Sequence, residues 1–442
     1  MNKCIIKNRS TGLIILVSLL LLQACSAERR TASAIDRRLK KISALNRHYV
    51  GLAVYSEAGK KMVIEHHADE YFTPASNTKL FTFYGGLKLV PDRIPALRYI
   101  ERGDSLVFWG TGDPSFLQTQ LKGNAAYDFL RQSSKKLYFA AGRYTGKFYG
   151  KGWQWDDYND YYQAEINELP LMDNLVAFQN KNGQLQVSPP FFRDLLLTDS
   201  ANKDTGFSIT RDFNSNVFAH PAAKLPGAYV QQVPYKVSLA TTVALLADTL
   251  HREVGTADLK MPKEAKTLYG LQRDSVLKEM MLPSDNFIAE QLLLVYADVL
   301  GPELNADLAI AHIEKNYLSS LPDKPRWIDG SGLSRYNLFT PRDIIELLKL
   351  IYKEYEDPKK LYELLPAGGN RGTLKTAYPK TEQPFVFGKT GSFSNNYNQS
   401  GYLISKKGNT YFFSFMNNNF VNPTAELKKA MADLITYIHE KL

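Results

Sequence analysis

The chain has 442 residues, 44% of them apolar and 22% charged, with two cysteines and a formal charge of +9. That length and apolar share leave room for two or three domains with full-sized cores, and exclude a disordered, collagenous or multispanning membrane protein. Three of the positive charges, Lys3, Lys7 and Arg9, sit in a leader without acids; subtracting them leaves +6, with no run of five basic residues, which does not point to nucleic acid.

Those three residues precede the apolar run LIILVSLLLL, residues 13–22. As a helix it would be about 15 Å long, roughly half the hydrocarbon core of a bilayer. It therefore reads as the core of a signal peptide, residues 1–24, and not as a transmembrane anchor. Leu22-Gln23-Ala24-Cys25 resembles a bacterial lipobox, which predicts export to the periplasm or cell envelope with a lipidated Cys25 as first mature residue. Since Cys4 falls in the leader, the folded body has no thiol for a disulfide or for catalysis. The seven histidines show no metal spacing, and no nucleotide-binding motif is present, so no cofactor or metal is expected.

Residues 31–47 read as an amphipathic helix with Ile35, Leu39, Ile42 and Leu45 on one side. VGLAVYSEAGKKMVIEHH follows as a hairpin turning at Glu57-Ala58-Gly59. TPASNTKLFTFYGG, residues 73–86, reads as a helix start, with Pro74 placed where a first turn tolerates it. From about 93 to 236 the pattern changes to short alternating segments with Gly and Pro turns, including RYTGKFYGKGWQWDDYNDYYQAE with eight aromatics in 143–165. Helical periodicity returns from about 238, and GYLISKKGNTYFFSFMNN gives a second hairpin around Lys407-Gly408-Asn409 before a closing helix, 424–442.

This order predicts an α+β protein: an antiparallel sheet completed from both chain ends and faced by helices, interrupted by a β-rich insert. The expected boundaries are 31–92 with 238–442 for the parent domain, 93–163 with 218–237 for one insert domain, and 164–217 for another.

Three short patterns carry chemistry. S-x-x-K occurs four times, starting at Ser76, Ser133, Ser200 and Ser275; S-x-N occurs three times, at Ser200, Ser284 and Ser394; K-T-G occurs once, at Lys389-Thr390-Gly391. One ordered reading puts each in a fitting element: Ser76 and Lys79 on one face of a helix start, Ser284 and Asn286 at the start of an apolar helix, and Lys389 on a strand. A serine hydroxyl needs a neighbouring base to act as nucleophile at neutral pH. A lysine near its ordinary pKa of ~10.4 is protonated, and bringing it to about 7–8 takes desolvation and a nearby cation. Burial of Lys79 and the charge of Lys389 are the expected sources. Ser284 would pass a proton between Lys79 and the leaving group, Asn286 would hold a substrate amide, and Lys389 with Thr390 would hold a terminal carboxylate.

With these motifs in this order the chain resembles the serine penicillin-recognising enzymes. It is most similar to the class C low-molecular-mass penicillin-binding proteins, the D-alanyl-D-alanine carboxypeptidase/endopeptidases, through PASNTK, GTGDPSF, GWQWDD, PSDNFIAE and DGSGLSRYN. The likeness covers nearly all of 31–442 and implies a β-lactamase/transpeptidase-like fold acting on peptidoglycan stem peptides through an acyl-enzyme on Ser76, with β-lactams as inhibitors. It further implies an oxyanion hole from the backbone N–H groups of Ser76 and Ser392, and substrate contacts from Gly391, Asp157, Arg335 and Phe393. A β-lactamase is the rival enzyme, but the water-activating E-x-x-L-N segment is missing and the second motif starts with serine. A peptidoglycan-binding lipoprotein without activity is the other rival, and it predicts decay of at least one catalytic residue. None has decayed.

Overall fold

A computed structural model describes residues 30–442. The leader and the lipobox with Cys25 lie outside the described residues. No helix among the described residues is long and apolar enough to cross a membrane. The chain divides into two compact units, each assembled from separate stretches.

The first unit comprises the described residues up to Asn77, Leu321–Pro325 and Leu338–Leu442. Its five-stranded sheet runs Val386–Phe393, Asn396–Ile404, Thr410–Asn418, Tyr49–Ser56, Lys61–His66, with every neighbouring pair antiparallel. Both chain ends thus supply strands, and the two hairpins expected from sequence are present. Strand periodicity explains the layers, because alternate side chains leave opposite faces. Leu403, Phe413 and Phe415 join Leu52 and Val54 in a core with Ile35 and Leu39 of helix 30–41 and with Met431, Leu434 and Ile435 of helix Thr424–Lys441. On the other face Phe412 and Tyr402 meet Tyr352, and the Tyr402 hydroxyl donates to Leu348 O at 2.9 Å. Each such buried aromatic contributes roughly 1.5–3 kcal/mol of apolar burial. The first helix ends at 41, short of the expected 47, because Ile42 turns extended; Ala44 and Leu45 are then buried from a 3-10 turn, Ser43–Leu45. Helix Pro341–Lys353 starts with a capping box, in which Thr340 Oγ1 accepts from Asp343 N and Asp343 Oδ2 accepts from Thr340 N.

The second unit comprises Thr78–Ser320 and Arg326–Asn337. Its largest sheet is mixed and runs Val254–Thr256, Lys136–Phe139, Ser105–Gly110, Arg93–Arg102, Lys266–Gln272, so strands after residue 250 complete a sheet begun at 93. Two three-stranded sheets are built from strands between 175 and 234. The aromatic-rich segment 143–165 contains no strand, only 3-10 turns Trp155–Asn159 and Tyr161–Gln163, with Trp155 and Tyr161 exposed. Helix Asn286–Leu300 is buried on every side from Phe287 to Asp298, the mark of a central core helix. Around it pack helices Lys79–Leu89, Arg273–Met281 and Ala306–Tyr317. Its Asp298 carboxylate is buried but paired with both Arg98 and Arg143, which ties the mixed sheet to the helix.

Candidate active site

The first motif is a helix start, as its sequence suggests. A 3-10 turn, Ala75–Thr78, runs directly into the α-helix Lys79–Leu89. Ser76 and Lys79 are therefore one helical turn apart along continuous backbone. The division between the units falls between Asn77 and Thr78, so Ser76 belongs to the first and Lys79 to the second.

Within the first unit the K-T-G strand is the edge strand of its sheet, with one isolated bridge from Phe387 to Ala367 on its outer side; against Asn396–Ile404, Lys389 stands opposite Ser400, Thr390 opposite Gln399 and Gly391 opposite Asn398. Gly391 explains the third letter of the motif. A Cβ there would lie 2.3 Å from Pro74 O and 3.0 Å from the backbone nitrogens of Ser76 and Asn77, so only glycine lets the strand approach the serine turn this closely. The turn is also tied to the next strand of the same sheet, since Asn77 Nδ2 donates to Ser400 Oγ at 2.9 Å. Lys389 is fully buried and its Nζ donates to Thr390 O at 2.8 Å; the Thr390 hydroxyl donates to Thr373 Oγ1 at 2.8 Å. Ser392 is exposed next to Gly391, and Phe393, half-buried, ends the strand.

Within the second unit Lys79 is fully buried. Its Nζ donates to Asn286 Oδ1 and to Ser331 O, both at 2.7 Å. Burial brings its pKa down to about 8, while the carboxyls of Asp285, Glu290 and Asp329 act the other way and hold it up. Desolvation is thus the leading cause, as expected, and the charges pressing on the amine from this unit are acidic. The lysines of the other three S-x-x-K pairs, Lys136, Lys203 and Lys278, are all exposed.

Asn286 opens the central helix, and its Nδ2 donates to Tyr162 O at 3.1 Å. Asp285 caps that helix by accepting from Ile288 N at 2.8 Å, and burial pushes its carboxyl up. Ser284 adopts φ 69°, a left-handed conformation costly for a residue with a Cβ and a frequent sign of a constrained functional turn. Ser284 and Asn286 share the wall of a cavity of about 360 Å³ with Tyr161, Tyr162 and Gln118. Asp157 lies in the 3-10 turn Trp155–Asn159, and partial burial, helped by the neighbouring Asp160 and Asp156, pushes its carboxyl up against the opposing pull of Tyr162 and Arg335. Gln154 bridges the two: its amide nitrogen is 3.5 Å from Asp157 Oδ1 and its oxygen 3.5 Å from Arg335 Nη2.

Sequence reasoning missed the residues that hold Lys79 in place. Ser331 O is a backbone atom and leaves no side-chain signal. Asp329 organises the turn that presents it, accepting from Gly332 N, Ser334 N, Asn337 Nδ2 and Trp153 Nε1. The blocks DGSGLSRYN and GWQWDD, noticed as resemblance, are thus two halves of one hydrogen-bonded structure.

The family described as D-Ala-D-Ala carboxypeptidase 3 (S13) matches residues 31–440. The D-alanyl-D-alanine carboxypeptidase DacB of Haemophilus influenzae is 23% identical over 430 residues, covering 88% of this chain and 89% of its own. The crystal structure of penicillin binding protein 4 from the same organism superposes with TM-score 0.72 at 19% identity, over 92% of this chain and 99% of that one. A predatory endopeptidase of Bdellovibrio bacteriovorus shares the fold more distantly, with TM-score 0.50 and 12% identity over 88% and 92%. These likenesses place the mixed α+β architecture among penicillin-binding and transpeptidase-like folds. A match that runs from residue 31 to 440 takes in all three motifs, and the chain belongs to the D-Ala-D-Ala carboxypeptidase 3 (S13) family of serine hydrolases.

Proposed function

We propose that Ser76 is the acylated nucleophile of a D-Ala-D-Ala carboxypeptidase/endopeptidase that cuts peptidoglycan stem peptides, with Lys79 as its base. One observation carries this reading. Lys79 is wholly buried, and its Nζ donates to two carbonyl-type acceptors, Asn286 Oδ1 and Ser331 O. A neutral amine has two hydrogens and one lone pair, so an amine that donates to two acceptors can still take a proton from a hydroxyl. A pKa of about 8 makes that neutral form available near physiological pH.

The steps follow from this assignment. Neutral Lys79 takes the Ser76 proton as Oγ attacks the carbonyl carbon of the D-alanyl peptide bond. The resulting oxyanion is held by the N–H groups of Ser76 and Ser392, a role supported by the close approach of Gly391 to the Ser76 nitrogen. The C–N bond breaks, and the amine leaves as D-alanine or as the neighbouring peptide, with the proton returned from Lys79 through Ser284. Water then hydrolyses the ester. Asn286, Lys389 and Thr390 hold the substrate amide and terminal carboxylate, while Asp157, Arg335 and Phe393 line the more distant peptide positions. Penicillin enters by the same attack and leaves an acyl group on Ser76.

The leader and Cys25 support export and a lipid anchor at the cell envelope, close to that substrate. Membrane fractionation of Cys25→Ser tests the anchor: unchanged maturation and membrane association would remove it. Peptide mass spectrometry after penicillin treatment tests the nucleophile. The adduct is expected on the peptide containing PASNTK; an adduct on Ser284 or on any other serine would overturn the assignment.

A further inference from the structure

Three features of the second unit go beyond the motif residues themselves: the carboxyls of Asp173, Glu279 and Asp285 in the cavity wall that Ser284 and Asn286 share, the exposed aromatics Trp155 and Tyr161, and the buried carboxyl of Glu290. The last has the most complete geometry. Glu290 lies one turn beyond Asn286 on the same central helix and is 5% exposed. Its Oε1 accepts from Ser331 N at 2.7 Å and its Oε2 from Gly330 N at 3.1 Å. The same peptide segment is held from the opposite side by Thr82, one turn beyond Lys79, whose hydroxyl donates to Gly330 O at 2.6 Å. A Cβ on Gly330 would lie 2.3 Å from Ala289 O, so the turn is pressed directly onto the helix backbone.

We propose that Glu290 is a positioning residue for Lys79, acting through the Gly330–Ser331 backbone that it grips by both N–H groups. With those two groups held, the backbone entering Ser331 is anchored, and the peptide that carries Ser331 O is held by its own N–H, Gly332 N, which donates to Asp329 Oδ1 at 2.9 Å; Asn286 Oδ1 accepts a second hydrogen of the amine. The amine is thereby tied to the turn that Glu290 holds. The inference rests on the reading of Lys79 as base and adds the part that aims it.

Charge gives a second handle. The titratable groups facing this cluster are Lys79 from its helix, Asp285 at the start of the helix of Glu290, Asp329 from the turn and Tyr144 from segment 143–165. Burial and the neighbouring Asp329 push the Glu290 carboxyl up. Once ionised, Glu290 favours the ammonium form of Lys79 and so delays loss of its proton to higher pH. Removing that charge moves the loss to lower pH.

The test is the pH profile of the penicillin acylation rate in Glu290→Gln, Glu290→Asp and Thr82→Val. Glutamine has one acceptor oxygen, and its amide nitrogen would face one of the two N–H donors. In Glu290→Gln we expect the plateau to fall on the order of tenfold or more, as for a displaced catalytic group. Its rising limb should move to lower pH by at least about half a unit. Glu290→Asp and Thr82→Val should lower the plateau and leave the limb in place, because both keep the charge and slacken the turn. A Glu290→Gln profile identical to the parent, or a lower plateau with an unmoved limb, would overturn the proposal. Should Glu290→Gln not fold, unchanged plateaus in the other two variants would do so. Lys79→Arg, measured alongside, separates this inference from the one beneath it. An active Lys79→Arg sinks the base itself, whereas an inert Lys79→Arg beside a parent-like Glu290→Gln sinks only the role of Glu290.

Discussion

The two units hold the two halves of the S-x-x-K motif by different physics. Around Ser76 the first unit uses backbone shape: an edge strand in fixed register, a glycine with no room for a Cβ, and a neutral Asn77–Ser400 hydrogen bond. Around Lys79 the second unit uses buried ionisable groups: an amine with Asp285, Glu290 and Asp329 close enough to alter its pKa. The contrast teaches where pH sensitivity should reside. Damage to the first arrangement displaces atoms and is the same at every pH, whereas damage to the second also shifts a titration.

The largest effect is expected for Lys79→Arg. A guanidinium keeps the charge but does not deprotonate near neutral pH, so acylation by penicillin should fall at least about a hundredfold. In the parent enzyme the rate should climb through a pKa of about 8, since the base works only once its proton is gone. That limb should vanish in the variant. Retained acylation with the parental limb would dissolve the contrast, because the titrating group would then be another.

Next comes Gly391→Ala. The new methyl meets Pro74 O at 2.3 Å, backbone that cannot swing aside, so strand and turn must part. Overpacking of this kind costs typically about 1–3 kcal/mol of stability, and the acylation rate should fall on the order of tenfold or more. The limb should stay at the parental pH. Thermal unfolding and the pH–rate profile read both quantities, and a shifted limb would show that the first unit tunes charge as well as shape.

Lys389→Arg should be mildest. Its proposed task is positive charge opposite a carboxylate, which arginine supplies, so we expect a loss of less than about tenfold, carried by substrate binding. Kinetics on a D-Ala-D-Ala peptide would expose a larger role if kcat collapsed while KM stayed level.

Glu290 and Gly391 show how legible the site was. PSDNFIAE drew notice as a block, yet only its serine and asparagine have roles that residue type and spacing suggest; the glutamate reads as one more helix residue. Gly391 was visible as a letter of K-T-G, but its reason, contact with Pro74 O, joins positions more than three hundred residues apart. The aromatic run 143–165 looked like part of a β-rich insert and is instead strandless, because its glycines and 3-10 turns give no alternation to pair.

By itself the sequence determined whatever depends on local periodicity. Ser76 and Lys79 share a helix start, Lys389 and Gly391 share a face of a strand, and two hairpins with terminal helices build an antiparallel sheet from both chain ends. Those follow from side-chain repeats of 3.6 and 2, which a linear chain displays openly. Tertiary structure decided which of four S-x-x-K lysines is buried, and burial lowers the pKa of that one, Lys79, because desolvation depends on what packs around a group and not on its neighbours in sequence. It also decided what that lysine donates to: a backbone carbonyl at Ser331, in a turn whose Ser331 N–H donates to a glutamate 41 positions away, an arrangement made of main-chain atoms that every residue possesses and no motif can spell.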